Sequence, residues 1–324
     1  MSEEHSPQAR SPNDTRGGVQ PAEQSATLSL VLGSGGARGL AHIGVIRELE
    51  QRGYHIDAIA GCSMGALVGG LYAVGKLEDY ADWVCGLDGS DILGLLDITG
   101  ARGGFIAGNK VMKVLHEWIG DTRIESLSIE FTAVAVDIER EREVWLNDGP
   151  LYDAIRASIS IPGVFTPYRY RGRVLVDGGL LNPIPVAPTV HALTDFTFVV
   201  DANGPPTDLL PWRGEEKRSD NDDDGWFRTA ARKLGWHTDD KAGISEEPDA
   251  INILMRSLDT MQAAITRQHL AVFNPDHVFR VPRNLCMIHE FHRAREVIEA
   301  GQEIAKEALD CFEEQRAGRS SQPE

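Results

Sequence analysis

Between Thr27 and Gly75 one pattern occurs twice: a short apolar run, a glycine-dense turn and a helix-like segment. First, Thr27–Leu32 (TLSLVL) meets Gly33, Gly35, Gly36 and Gly39. The helix-like stretch that follows ends at Gln51, with Leu40, Ala41, Ile43, Val45, Ile46 and Leu49 spread round much of the wheel and Gly53 as a stop signal. Second, Ala58–Ala60 meets Gly61-Cys62-Ser63-Met64-Gly65 and a small-residue helix reaching about Gly75. This alternation builds a parallel sheet and sets the expected fold class as α/β. Further strand-like runs lie at Ile129–Val136, Val144–Leu146, Val174–Val176, Phe196–Val200 and His277–Val281. Asn109 can cap a helix that Gly120 ends, and a charged amphipathic helix spans about Phe291–Phe312. Ile251, Leu254, Leu258, Met261 and Ile265 form a narrow stripe at helical spacing, read as core packing.

Residues 1–26 hold only Met1 and Val19 as strong apolar side chains and read as a disordered tail. Residues 204–249, with Pro205, Pro206, Pro211 and the run Asp222–Asp224, read as an exposed insertion. The expected division is therefore a domain over 27–316 carrying that insertion, and a flexible C-terminus at 317–324. Within the insertion, Trp226, Phe227, Ala230, Ala231 and Leu234 share one helical face, while Arg228 and Arg232 take the other. Two readings stand for Trp226–Leu234: a lid or membrane-touching segment, or an amphipathic helix folded onto the domain.

Lys plus Arg total 32 against 49 Asp plus Glu, a formal net charge of −17 that repels phosphate backbones and argues against nucleic-acid partners. Four cysteines without C-x-x-C spacing fit a reducing compartment. No apolar run spans a bilayer, and no secretory signal pattern opens the chain, so the expected location is cytoplasmic with peripheral contact at the inner membrane face. His289 and His292 near Cys286 lack a further ligand set, and no metal or cofactor is expected.

Chemistry concentrates at three places. Gly61-x-Ser63-x-Gly65 between strand and helix is the pattern of a nucleophile pushed out of a sheet on a sharp turn, with small neighbours for clearance. At Gly33-Ser34-Gly35-Gly36-Ala37-Arg38-Gly39, the N–H groups of Gly35 and Gly36 can converge on an oxyanion. The rival there is a dinucleotide loop, but Arg38 stands where a third glycine belongs, and Asp57 precedes the second strand instead of ending it. Third, Asp177 closes an apolar strand before Gly178 and Gly179, as a ligand-facing acid or as a simple turn former.

Taken together, LVLGSGGARGLAHIGVIRELE, IAGCSMGALVGGLYAVG, AIRASISIPGVFTPY and LVDGGLLNPIPV resemble the patatin-like phospholipase family, particularly its bacterial and neuropathy-target-esterase-related members. The resemblance implies a three-layer fold with a mainly parallel central sheet covered by helices. It implies Ser63 as nucleophile, Asp177 as its sole catalytic partner and the Gly35 and Gly36 amides as oxyanion hole, with Arg38 at the basic position of the glycine-rich motif. Ser34 stands where relatives carry a glycine. His42 is read as a packing residue on the first helix. The implied function is hydrolysis of phospholipid or lysophospholipid acyl esters. A short-chain carboxylesterase and a non-catalytic lipid-binding or regulatory module are the alternatives, and oligomeric state is not legible.

Overall fold

The structure, a computed structural model, describes residues 26–95, 109–162, 164–208 and 250–320. Trp226–Leu234, Asp222–Asp224 and all but the last residue of the expected tail lie outside these residues. Eight strands form one sheet: β1 (Thr27–Leu32), β2 (His55–Cys62), β3 (Glu130–Asp137), β4 (Arg142–Leu146), β5 (Tyr168–Tyr170), β6 (Arg173–Asp177), β7 (Phe196–Gly204) and β8 (His277–Pro282). The order is β5-β6-β3-β2-β1-β7-β8, with β4 added on β3. β3, β2, β1, β7 and β8 run parallel, while β4, β5 and β6 are antiparallel additions. The sheet is thus mixed but mostly parallel, and its parallel centre grows from the two repeated strand–turn–helix units.

The helices are α1 (Ala41–Gln51), α2 (Met64–Ala73), α3 (Leu77–Cys85), α4 (Gly89–Leu95), α5 (Asn109–Ile119), α6 (Leu151–Ser158), α7 (Ala250–Phe273) and α8 (Ala294–Ser320). Leu28, Leu30 and Leu32 of β1 face the large core shared with α1, α2, α6 and α8, whereas Val31 faces a smaller cluster with Val199, Ile184 and Val186. Strand alternation thus buries β1 on both faces, which explains its unbroken apolar sequence.

α8 crosses α1 at van der Waals closeness because both carry glycine there. A Cβ on Gly44 would land on the Ile298 carbonyl oxygen, and one on Gly301 on the Ala41 carbonyl oxygen. Glycine-to-alanine normally favours a helix interior by about 1 kcal/mol, but overpacking costs about 1–3 kcal/mol. Gly44→Ala and Gly301→Ala are therefore expected to lower the denaturant midpoint of unfolding, and a raised midpoint would refute this crossing.

Two expectations are corrected. α8 continues beyond Phe312, where the sequence reading ended it, to Ser320, and Arg52 pairs with its Asp310 at 2.6 Å and Glu313 at 3.0 Å. Arg316 also stacks over Phe196, 4.4 Å from the ring centroid. On α7, the described part of the apolar stripe is not fully core: Met261 is 55% exposed, and Leu258 and Ile265 are half-buried. The helix instead turns Thr266 inward, together with Gln262, whose Nε2 donates to the Gly179 carbonyl at 3.0 Å. A main-chain oxygen at that turn needs a donor, which a stripe of methyl groups cannot supply.

Candidate active site

β2 ends at Cys62 and α2 begins at Met64, so Ser63 carries the whole reversal. Its φ of 55° and ψ of −122° are glycine-like values for a residue with a side chain, and it is 4% exposed. Such strain persists only where the surroundings over-determine it. On the carbonyl side, Ser63 O accepts the N–H groups of Ala66 (3.0 Å) and Leu67 (3.1 Å) in the first turn of α2. On the amide side, Ser63 N–H donates to the Ser158 hydroxyl at 2.9 Å. Gly65 is required by close approach: a Cβ there would fall on the Leu32 carbonyl oxygen of β1.

Asp177 reaches the same place through β3. Val134 pairs with Cys62 of β2, and the next residue, Ala135, pairs with Asp177 of β6. β3 outruns β2, and the antiparallel β6 occupies the overhang, so the ends of β2 and β6 meet along one strand. The sequence reading placed Asp177 at the carboxyl end of a strand; that strand runs antiparallel to β3, and the overhang of β3 brings its end to the Ser63 turn.

Its Oδ1 accepts the Gly179 N–H at 2.7 Å and lies 3.9 Å from the Cys62 thiol, which donates to it. Burial drives the Cys62 pKa well up and keeps that thiol protonated. Oδ2 is buried without a hydrogen-bond partner. Burial lifts the Asp177 pKa to about 6, against the opposing effects of the neighbouring Ser63 side chain, the Gly179 amide and Cys62. Ser63 thus stands close enough to favour the charged carboxylate, without an aligned hydrogen bond to Oδ2.

The glycine loop flanks both residues. A Cβ added to Gly179 would come 3.1 Å from Ser34 Cβ, and one on Gly39 2.6 Å from Met64 Cβ, next to Ser63. Gly33 N–H donates to Val200 O and Ser34 N–H to Pro183 O, while the Gly35 and Gly36 amides have no acceptor among the described residues. Gly36 has φ +55°, and a Cβ on it would approach the Ile288 carbonyl oxygen to 2.5 Å. The Ser34 hydroxyl is buried without a partner.

Arg38 is buried and spends its donors on main chain, with Nη1 reaching Arg283 O at 3.2 Å. Burial lowers its pKa, with Asp259 and Asp201 opposing. His42 is fully buried, contacts Gly33 O through Nε2 at 2.8 Å, and is held neutral by burial with a pKa of about 4. It braces the loop from below.

The sequence reading missed three contributors: Cys62 as a donor to Asp177, Gln262 as the brace of Gly179, and Ser158. The last lay within the AIRASISIPGVFTPY segment, where nothing local singles out one serine from another. Among the described residues no helix is long and apolar enough to cross a membrane.

A family model described as patatin-like phospholipase matches residues 30–190. An uncharacterized NTE family protein of Mycobacterium tuberculosis is 37% identical over 334 residues, covering 89% of this chain and 93% of its own length. Lysophospholipase nte1 of Emericella nidulans is 35% identical over 178 residues, which is 54% of this chain but 12% of that protein. Among solved structures, VipD from Legionella pneumophila matches with a TM-score of 0.45 at 14% identity, over 90% of this chain and 68% of its own. With near-complete mutual coverage by the mycobacterial relative, and a matched region that runs from the glycine loop past the Asp177 turn, the chain belongs to the patatin-like phospholipase family and, within it, to the NTE family proteins.

Proposed function

We propose that this lipid ester hydrolase cleaves acyl esters of phospholipids or lysophospholipids through Ser63 and Asp177 alone, with the Gly35 and Gly36 amides as oxyanion hole. The observation that carries the reading is the adjacency of a strained, buried serine and a desolvated carboxylate beside two main-chain donors that have no acceptor among the described residues. Ser63 Oγ attacks the ester carbonyl and passes its proton to Asp177, and the amides hold the oxyanion. The leaving alcohol takes that proton, and water, deprotonated by Asp177, then releases the fatty acid. A carboxylate at its ordinary pKa is a weak base for a hydroxyl; raised to about 6, Asp177 is a better one and remains ionised at neutral pH. The name of the fungal relative, a lysophospholipase, supports the choice of substrate class.

Wild-type protein should be labelled at Ser63 by a fluorophosphonate, with peptide mass spectrometry locating the adduct, and should release fatty acid from lysophosphatidylcholine. Absence of labelling, or labelling elsewhere, would overturn the reading; a profile favouring short acyl chains would move the substrate class to small carboxylic esters. The acidic limb of kcat/KM is expected near pH 6, falling about tenfold per pH unit below it, because only ionised Asp177 accepts the proton. A limb near pH 4 would mean a solvated base.

A further inference from the structure

We infer that Ser158 is a positioning residue: its hydroxyl fixes the backbone of the nucleophile turn and so sets the aim of the Ser63 side chain. The inference rests on the proposed role of Ser63 and adds an element that the motifs do not contain.

Ser158 is the last residue of α6 and is fully buried. Its hydroxyl donates to the Val134 carbonyl at 2.6 Å and accepts the Ser63 N–H at 2.9 Å. One oxygen therefore ties the nucleophile turn to β3 at the residue that pairs with Cys62. A hydroxyl can serve as donor and acceptor at once; a methyl group would leave a buried N–H without its acceptor and a buried carbonyl without this donor. The Ser63 N–H is thereby committed to Ser158 and is not available to an oxyanion.

The same stretch of chain also holds Asp177. Ser160 O accepts the Asp177 N–H at 2.9 Å, and the Ser160 hydroxyl receives Arg156 Nη1 at 2.6 Å while donating to Arg156 O at 2.9 Å. Arg156 Nη2 reaches Thr166 O at 3.2 Å, closing the loop that follows. The helix cannot slide, because Leu151, Ala154, Ile155 and Ala157 are buried. It presses on α2, where a Cβ on Gly70 would come within 2.5 Å of Ile155 Cδ1. Ser63 and Asp177 therefore share one support, the C-terminal end of α6. The side chain of Ser158 grips one partner, and the main chain of Ser160 grips the other.

Ser63 needs such a grip more than an ordinary turn residue does. Its backbone conformation is one from which a side-chain-bearing residue tends to relax, and a relaxation of about 1 Å at a nucleophile can cost on the order of 10²-fold in rate. Loss of the Ser158 hydroxyl should therefore appear in kcat, since the amides, the carboxylate and the surfaces that receive the lipid stay in place.

The test compares Ser158→Ala and Ser158→Thr with wild type, with Leu309→Ala, a truncation of a fully buried core side chain towards the C-terminal end of α8, as a destabilised control. Turnover of a chromogenic acyl ester is expressed per site titrated by fluorophosphonate. For Ser158→Ala, kcat per titrated site is expected to fall about 10²-fold. KM should stay within about threefold and the acidic limb should not move, because Asp177 keeps its own support. Ser158→Thr, which retains the hydroxyl, should recover most of kcat. Leu309→Ala should lose thermal stability and keep its turnover per titrated site. If the alanine variant does not fold, Ser158→Cys carries the test with a poorer acceptor and an expected loss of about tenfold. Turnover per titrated site within threefold of wild type in Ser158→Ala, or in Ser158→Cys where that variant carries the test, would overturn the inference. So would a threonine variant as slow as the alanine one. Ser63→Ala separates this from failure of the underlying reading: an active Ser63→Ala protein removes the proposed mechanism, whereas an inactive one beside a fast Ser158→Ala removes only the role of Ser158.

Discussion

Asp177→Asn is expected to yield a protein that is more stable than wild type at pH 8 and has lost at least about 10³-fold in kcat. The two effects share one cause. The folded carboxyl titrates near 6 instead of 3.8, chiefly because it is buried. A folded-state pKa above the unfolded one means that this group favours the fold fully only below about pH 3.8, and that the advantage is lost as pH rises through 6. At about 1.4 kcal/mol per pH unit, holding the ionised form buried at pH 8 costs roughly 3 kcal/mol. Asparagine removes the charge and keeps an Oδ1 to accept the Gly179 N–H and face the Cys62 thiol. Its amide sits where Oδ2 already lacks a partner, which returns part of the gain. A net stabilisation of about 1–3 kcal/mol remains, or a few degrees in Tm. Thermal melts at pH 8 and pH 4 check the sign: the difference between variant and wild type should shrink steadily below pH 6. A destabilised Asp177→Asn at pH 8, or one that keeps its turnover, would mean that the carboxylate serves the fold and not the reaction.

The second large effect is at Ser63. Both Ser63→Ala and Ser63→Gly should lose at least about 10⁴-fold in hydrolysis and all fluorophosphonate labelling, since the Cys62 thiol beside Asp177 is fully buried and kept protonated by that burial. Their stabilities should rank in the reverse of the usual order. Glycine normally costs about 0.5–1 kcal/mol relative to alanine through the unfolded chain. At φ 55° and ψ −122°, however, alanine retains strain of about 1–3 kcal/mol that glycine does not feel. Ser63→Gly is therefore expected to melt above Ser63→Ala, and at or above wild type. An alanine variant that melts higher would show that the turn is not strained. In both residues the site departs from what stability alone selects, through desolvation at Asp177 and backbone geometry at Ser63.

Much of the fold was open to reading because its signals are local. Strand, glycine turn and helix recur in β1–α1 and β2–α2, and the stop signals at Gly53 and Gly120 fall where positive φ ends a helix. The loop glycine Gly36 was legible for the same reason, since its φ of +55° disfavours a side chain whatever surrounds it, whereas Gly65 is required by its approach to β1. α6 was not read, although its C-terminal end supports both Ser63 and Asp177. It has two turns, and its importance lies in where its last residues dock. The stripe on α7 misled because periodicity reports a face but not what that face meets. Here the inner face was chosen by a carbonyl at Gly179 in need of a donor.

The sequence alone determined the α/β class, the Ser63 turn, the glycine loop and the acid that ends β6, each written in residues a few positions apart and dictated by backbone sterics. Only the tertiary structure decided that Asp177 arrives from an antiparallel strand in register with the overhang of β3, that burial raises its pKa to about 6, and that a hydroxyl on α6 holds the Ser63 amide. Those depend on strand pairing, solvent exclusion and docking between distant segments, and no local pattern carries them.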